Sequence, residues 1–78
     1  MHIVVKGTKT IEEFKQKQSI MNNLAIMCFS SHKSAFSNWL EGEPVKVWYD
    51  NSENLCIEYQ SGRWWHYHFN NYNQPEWW

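Results

Sequence analysis

Seventy-eight residues are enough for one domain around a single core and for no second one. Hydrophobic residues at 42% against 19% charged exclude a disordered chain, and the longest apolar run, Leu24 to Phe29, falls far short of the ~20 residues of a membrane span. The net charge of −1 hides an asymmetry, with five lysines against two glutamates over residues 1–40 and Lys46 and Arg63 against six carboxylates over 41–78, which argues against both a broad basic face for nucleic acid and a dense acidic DNA mimic.

The β-branched opening His2 to Lys6, closed by Gly7, predicts a strand. It carries neither a basic run nor a long apolar stretch, so a secretory signal is not expected there. Thr10-Ile11-Glu12-Glu13 fits a capping box and predicts a helix start, with Glu13 and Lys17 in the favourable i,i+4 order. Ile11, Phe14, Met21, Ala25 and Cys28 form its apolar stripe, broadened by Ile20, Leu24 and Met27, while Lys15, Gln16, Ser19, Asn22 and Asn23 face water. Ser30 and Ser31 interrupt the pattern. Ala35, Phe36, Trp39 and Leu40 resume it, predicting a second helix from about His32 to Glu41, stopped by Gly42 and Pro44. One long helix bent at the serines is the alternative.

From Val45 the hydrophobic period changes to two. Three strands are expected, Val45 to Asp50, Asn54 to Gln60 and Arg63 to Asn70, joined by three-residue loops with Gly62 in the left-handed position of the second. That antiparallel meander sets Tyr49 opposite Leu55, Val47 opposite Ile57, Ile57 opposite Trp65, and Leu55 opposite Tyr67. One face then holds Val45, Val47, Tyr49, Leu55, Ile57, Tyr59, Trp65, Tyr67 and Phe69, ready to receive the helices. The other holds Lys46, Trp48, Asp50, Cys56, Glu58, Trp64, His66 and His68, with Lys46 against Glu58 and Cys56 against both Trp48 and His66. Residues 70–78 read as a tail without regular structure, ending in Trp77 and Trp78. The expected fold is a single α+β domain over 1–78.

Four chemistries compete for the mixed face. Cys56, His66 and His68 share it, with Asp50 on the strand beyond, and thiolate with imidazole suits zinc. Lacking C-x-x-C spacing and a fourth ligand, they read instead as solvent-facing histidines beside a small thiol, and no metal or other cofactor is expected. Cys56 beside His66 also resembles a nucleophile and its base, but no nucleophile elbow, phosphate loop or metalloprotease helix accompanies them, so a non-catalytic protein is expected. Base stacking on Trp48 and Trp64 suits a nucleic-acid binder, yet the lysines cluster on the helix and the chain has one arginine, Arg63. The fourth reading is protein binding. Trp48, Trp64, Trp77 and Trp78 have no place on the predicted core face, and large rigid rings are the residues that dominate interfaces. Glu58 and His66 supply the polar rim, and a homodimer through this two-sided aromatic sheet fits as well. In the bland version of the same facts, Trp77 and Trp78 fold back over Trp48 and Trp64.

The segments Lys6-Gly-Thr-Lys-Thr-Ile-Glu-Glu-Phe14 and Asn54-Leu-Cys-Ile-Glu-Tyr-Gln-Ser-Gly-Arg-Trp-Trp-His-Tyr-His68 resemble those of small uncharacterised proteins of phages and mobile elements of low-GC Gram-positive bacteria, and some proteins of this size and genomic setting are anti-CRISPR inhibitors. The resemblance carries no motif of known chemistry. It implies a stoichiometric inhibitor that occupies a surface of a CRISPR effector complex or another host defence protein, through apolar contacts in view of the near-neutral charge. Cytoplasmic location is expected, with Cys28 and Cys56 reduced.

Overall fold

The computed structural model describes residues 1–78. Thr10 starts the only helix, α1, Ile11–Ser34: its extended backbone and side-chain oxygen cap the Glu13 amide at 3.1 Å, and the Glu13 carboxylate accepts from the Lys9 amide at 3.0 Å. The strands are β1 His2–Ile3, β2 Pro44–Tyr49, β3 Leu55–Tyr59, β4 Trp64–Phe69 and β5 Pro75–Trp77, in one sheet ordered β1-β2-β3-β4-β5. β1 runs parallel to β2 with α1 as the crossover, and all other pairs are antiparallel. No helix is long and apolar enough to cross a membrane.

Two helices over a three-stranded meander are therefore not what forms. Ser30 and Ser31 do not break α1, because serine costs only ~0.5 kcal/mol in a helix and the buried stripe Met21, Ala25, Cys28 runs on to His32 at helical spacing. The Ser34 hydroxyl, donating to the Ser30 carbonyl at 2.7 Å, marks the last turn. Beyond Ala35 the expected second helix is a looped segment, pinned by the Trp39 indole donating to the Gly42 carbonyl at 2.8 Å. Gly42 has φ +79°, and a Cβ there would lie 2.9 Å from the Cβ of Gln60, which cannot swing away as the Gln60 amide can, so backbone and space both favour glycine.

The tail is likewise structured. Asp50 Oδ1 accepts from the amides of Ser52 and Asn54 at 2.8 and 2.9 Å, closing the β2–β3 turn. Asn70 Oδ1 does the same for Tyr72 and Gln74 at 2.9 and 3.1 Å, and that second turn returns the chain as β5 along β4. Glu53 and Asn73 take the left-handed position in the two turns. Pro75 is tolerated because β5 is an edge strand.

Register follows the alternation: Val47 pairs with Ile57, Tyr49 with Leu55, Ile57 with Trp65, and Leu55 with Tyr67. The inner face packs Val47, Leu55, Ile57, Tyr59 and Tyr67 on Met21, Ala25 and Cys28 of α1. Phe14 and Ile11 at the start of the helix stay exposed, as do Ile20 and Met27, so the buried stripe is narrower than its apolar pattern. Val45, beside a register shift between Pro44 and Lys46, is also exposed.

The core closes on a polar chain. Nδ1 of His32 lies 2.7 Å from the Tyr67 hydroxyl, which lies 2.6 Å from that of Tyr59. Trp77 stacks on the His32 ring at 4.4 Å, with Trp39 and Trp65 edge-on at 4.8 and 4.9 Å. Burial pushes His32 down to about 4 against the opposing pull of Glu41, and pushes the Tyr59 and Cys28 protons up to about 12. This histidine is neutral and structural.

Candidate functional site, the outer face of the sheet

With α1 on one face, the opposite face of the sheet carries side chains of the other parity. Lys46 pairs with Glu58, Trp48 with Cys56, Cys56 with His66 and Glu58 with Trp64 across the strands. The rings form a continuous row. Trp48 and Trp64 have centroids 5.4 Å apart, Trp64 and His66 4.9 Å, and His66 and Trp78 5.0 Å with planes only 6° from parallel. Trp78 is held there by strand-like bonding, since His66 and Trp78 exchange both backbone hydrogen bonds, at 3.0 and 3.2 Å. Trp64 and Trp78 remain 48% and 52% exposed, which for side chains of this size leaves a substantial apolar surface in water.

Charged groups border the row. The Lys46 ammonium lies 5.3 Å from the Trp48 ring centroid. Glu58 stands between Lys46 and Trp64. At the other end Nε2 of His68 and Oε1 of Glu76 are 2.8 Å apart, and Asn70 Nδ2 donates to the same carboxylate at 3.3 Å. The helix lysines Lys15, Lys17 and Lys33 belong to the other layer, and Lys17 donates to the Lys6 carbonyl at 2.6 Å.

Of the expected contact residues, Trp48, Trp64, Trp78, Glu58 and His66 share this face. Trp77 does not. It pairs with Tyr67 and packs inward on His32, because neighbours on a strand point to opposite faces. Trp78 neither covers Trp48 and Trp64 nor hangs free; it extends their row.

The thiol and imidazole groups part differently from expectation. His68 is engaged with Glu76, while Asp50, Cys56 and His66 have ligand-type atoms all within 4.8 Å of one another. Cys56 is fully buried although it lies on the outer face, flanked by Trp48 and His66. Its Sγ donates weakly to the Asn54 carbonyl at 3.7 Å. Burial, aided by the Asp50 charge, pushes the thiol up to about 11, the opposite of what a nucleophile needs. Asp50 is held below its ordinary range chiefly by the Asn54 amide, with help from the Asn54 side chain, the Ser52 amide and His66. Sequence reasoning set Asp50 beside this cluster but gave its third place to His68, and it missed His32 as the buried centre of the inner face.

A groove of about 340 Å³ between α1 and the start of β2 is lined by Met1, Ile26, Phe29 and Pro44, with Glu43 as its one charged side chain. Comparison with protein-family models, with curated proteins and with solved structures returned no match to this chain.

Proposed function

We propose that this chain is a non-catalytic protein-binding module whose contact surface is the outer sheet face, with Trp48, Trp64 and Trp78 as anchors and Glu58 and His66 as polar rim. The observation that carries this reading is the row of rings on a face left open by the single helix, two of its tryptophans about half exposed. Tryptophans give large contact area for few rotatable bonds, which is why they concentrate binding energy. A surrounding of opposite charges, Lys46 with Glu58 and His68 with Glu76, fits the polar border of a specific interface.

In its sharpest form the module inhibits a host defence protein, a CRISPR effector complex foremost, from within the host cytoplasm. That form rests on the resemblance of segments 6–14 and 54–68 to small phage and mobile-element proteins. The surface favours apolar occlusion over acidic mimicry, since its carboxylates stand beside cations.

The test is a binding titration of the purified chain against purified effector complexes from low-GC Gram-positive hosts, run beside the Trp64→Ala/Trp78→Ala double variant. Saturable one-to-one binding, lost in the double variant while its fold is kept, supports the proposal. Binding that survives the double substitution removes the outer face as the contact surface, and absence of binding to any complex removes the inhibitor reading. Sedimentation equilibrium separates the remaining occupant: a dimer dissociated by the same variant makes the partner a second copy of this chain.

A further inference from the structure

We infer that Asp50, Cys56 and His66 form a binding site for one divalent cation of the zinc type. Their ligand atoms, a carboxylate oxygen, Sγ and a ring nitrogen, lie within 4.8 Å of one another, and Nε2 of His66 is 3.7 Å from Oδ2 of Asp50. That separation is too long for a hydrogen bond. It is close to the edge of a coordination tetrahedron, where bonds of ~2.0–2.3 Å set neighbouring ligand atoms roughly 3.3–3.6 Å apart. With no ligand-atom pair more than 4.8 Å apart, a closure of about 1 Å brings Sγ to the same edge length.

Cys56 comes from β3, His66 from β4 and Asp50 from the residue that follows β2. The Asp50 carboxylate accepts from the Ser52 amide at 2.8 Å, from the Asn54 amide at 2.9 Å and from Asn54 Nδ2 at 3.2 Å. The His66 ring is fixed between Trp64 and Trp78. Outer contacts of this kind orient metal ligands in advance. Cys56 makes a buried floor, while the His66 and Asp50 side chains at the rim keep 28% and 24% of their surface, which leaves an ion a way in.

Donor chemistry selects the ion. Magnesium and calcium take all-oxygen shells, whereas sulfur, imidazole nitrogen and one carboxylate suit zinc. As the sulfur–metal bond forms, the thiol proton passes to water, and a water molecule completes the tetrahedron in the position no side chain fills. The site lies beneath the proposed contact surface but does not depend on that reading.

Cobalt titration of the purified chain, followed by displacement with zinc, tests the assignment. One equivalent of Co²⁺ is expected to give a sulfur-to-cobalt charge-transfer band with strong tetrahedral d–d absorption, both bleached by Zn²⁺. Asp50→Asn and His66→Ala are expected to weaken Co²⁺ binding at least about tenfold, Cys56→Ser to abolish the charge-transfer band, and His68→Ala to change nothing. Because Cys56 is buried and its replacement can unfold the chain, the two rim variants, checked by circular dichroism, carry the decision. A parent chain without a stoichiometric cobalt spectrum overturns the site, as does a His68→Ala loss equal to that of His66→Ala.

Discussion

Trp77 and Trp78, adjacent in the chain, stack on two histidines on opposite sides of the sheet: Trp77 on His32 at 4.4 Å beneath the helix, Trp78 on His66 at 5.0 Å on the open face. One short strand thus closes the core with one ring and extends the outer aromatic row with the next. The two substitutions should separate accordingly. Trp77→Ala is expected to cost roughly 2–4 kcal/mol by opening a cavity against His32 and Tyr67, and Trp78→Ala about 1 kcal/mol, the scale of one exposed ring pair. Urea unfolding of the two variants, compared at equal slope, measures both.

His32 gives the fold a pH dependence whose sign is fixed by its burial. Between its ordinary value of 6.5 and about 4, the unfolded chain takes up a proton that the folded chain refuses. Stability is therefore full above pH 6.5 and falls as pH drops through that window, by on the order of 3 kcal/mol. His32→Phe keeps an aromatic ring against Trp77 and removes the titration. The difference between the two pH profiles should flatten outside this window, and a parent profile identical to that of His32→Phe contradicts the assignment.

Tyr67 joins His32 to Tyr59 through one hydroxyl. Tyr67→Phe leaves two buried polar groups without that partner and should cost about 1–3 kcal/mol. Tyr59→Phe keeps the His32–Tyr67 bond and should cost less. Thermal unfolding at neutral pH ranks the two, and the reverse order would show that the hydroxyl chain is not the stabilising element.

Gly42 and Gly62 both have positive φ, but only Gly42 has no room for a side chain. Gly62→Ala should lose ~1–2 kcal/mol from backbone conformation alone. Gly42→Ala adds the clash with Gln60, whose Oε1 also accepts from the Glu43 amide at 2.9 Å, and should lose more. Chemical denaturation of the pair reads the difference.

Sheet parity was legible in residues 45–69 because alternation alone sorts a half-buried strand, and Gly62 and Thr10 announced their turn and cap. The fifth strand was less visible, since Pro75-Glu76-Trp77 offers too few residues to show a period. Its signal lay in the turn before it, where Asn70 and Gln74 repeat the spacing of Asp50 and Asn54 and the same side-chain-to-amide bonds. His32 was hidden by its polarity: only the Tyr67 hydroxyl and the surrounding rings make its burial affordable. Phe36 and Trp39 mimic helical spacing, yet they pack around His32 from a loop, where tertiary contact overrides local periodicity. On the outer face, cross-strand pairing predicted Cys56 beside His66, but the turn that brings the Asp50 carboxylate over them, in place of His68, depends on Ser52 and Asn54.

The central claim is that the outer tryptophans serve contact rather than folding, and Trp64→Ala/Trp78→Ala tests it most directly when melting and partner titration are measured on the same preparation. The account predicts a cooperative unfolding transition lowered by about 2 kcal/mol, roughly 8–16 °C for a domain of this size, with binding weakened by at least about 2 kcal/mol, near thirtyfold. A double variant that melts far below that range, or binds the partner with parental affinity, would contradict it.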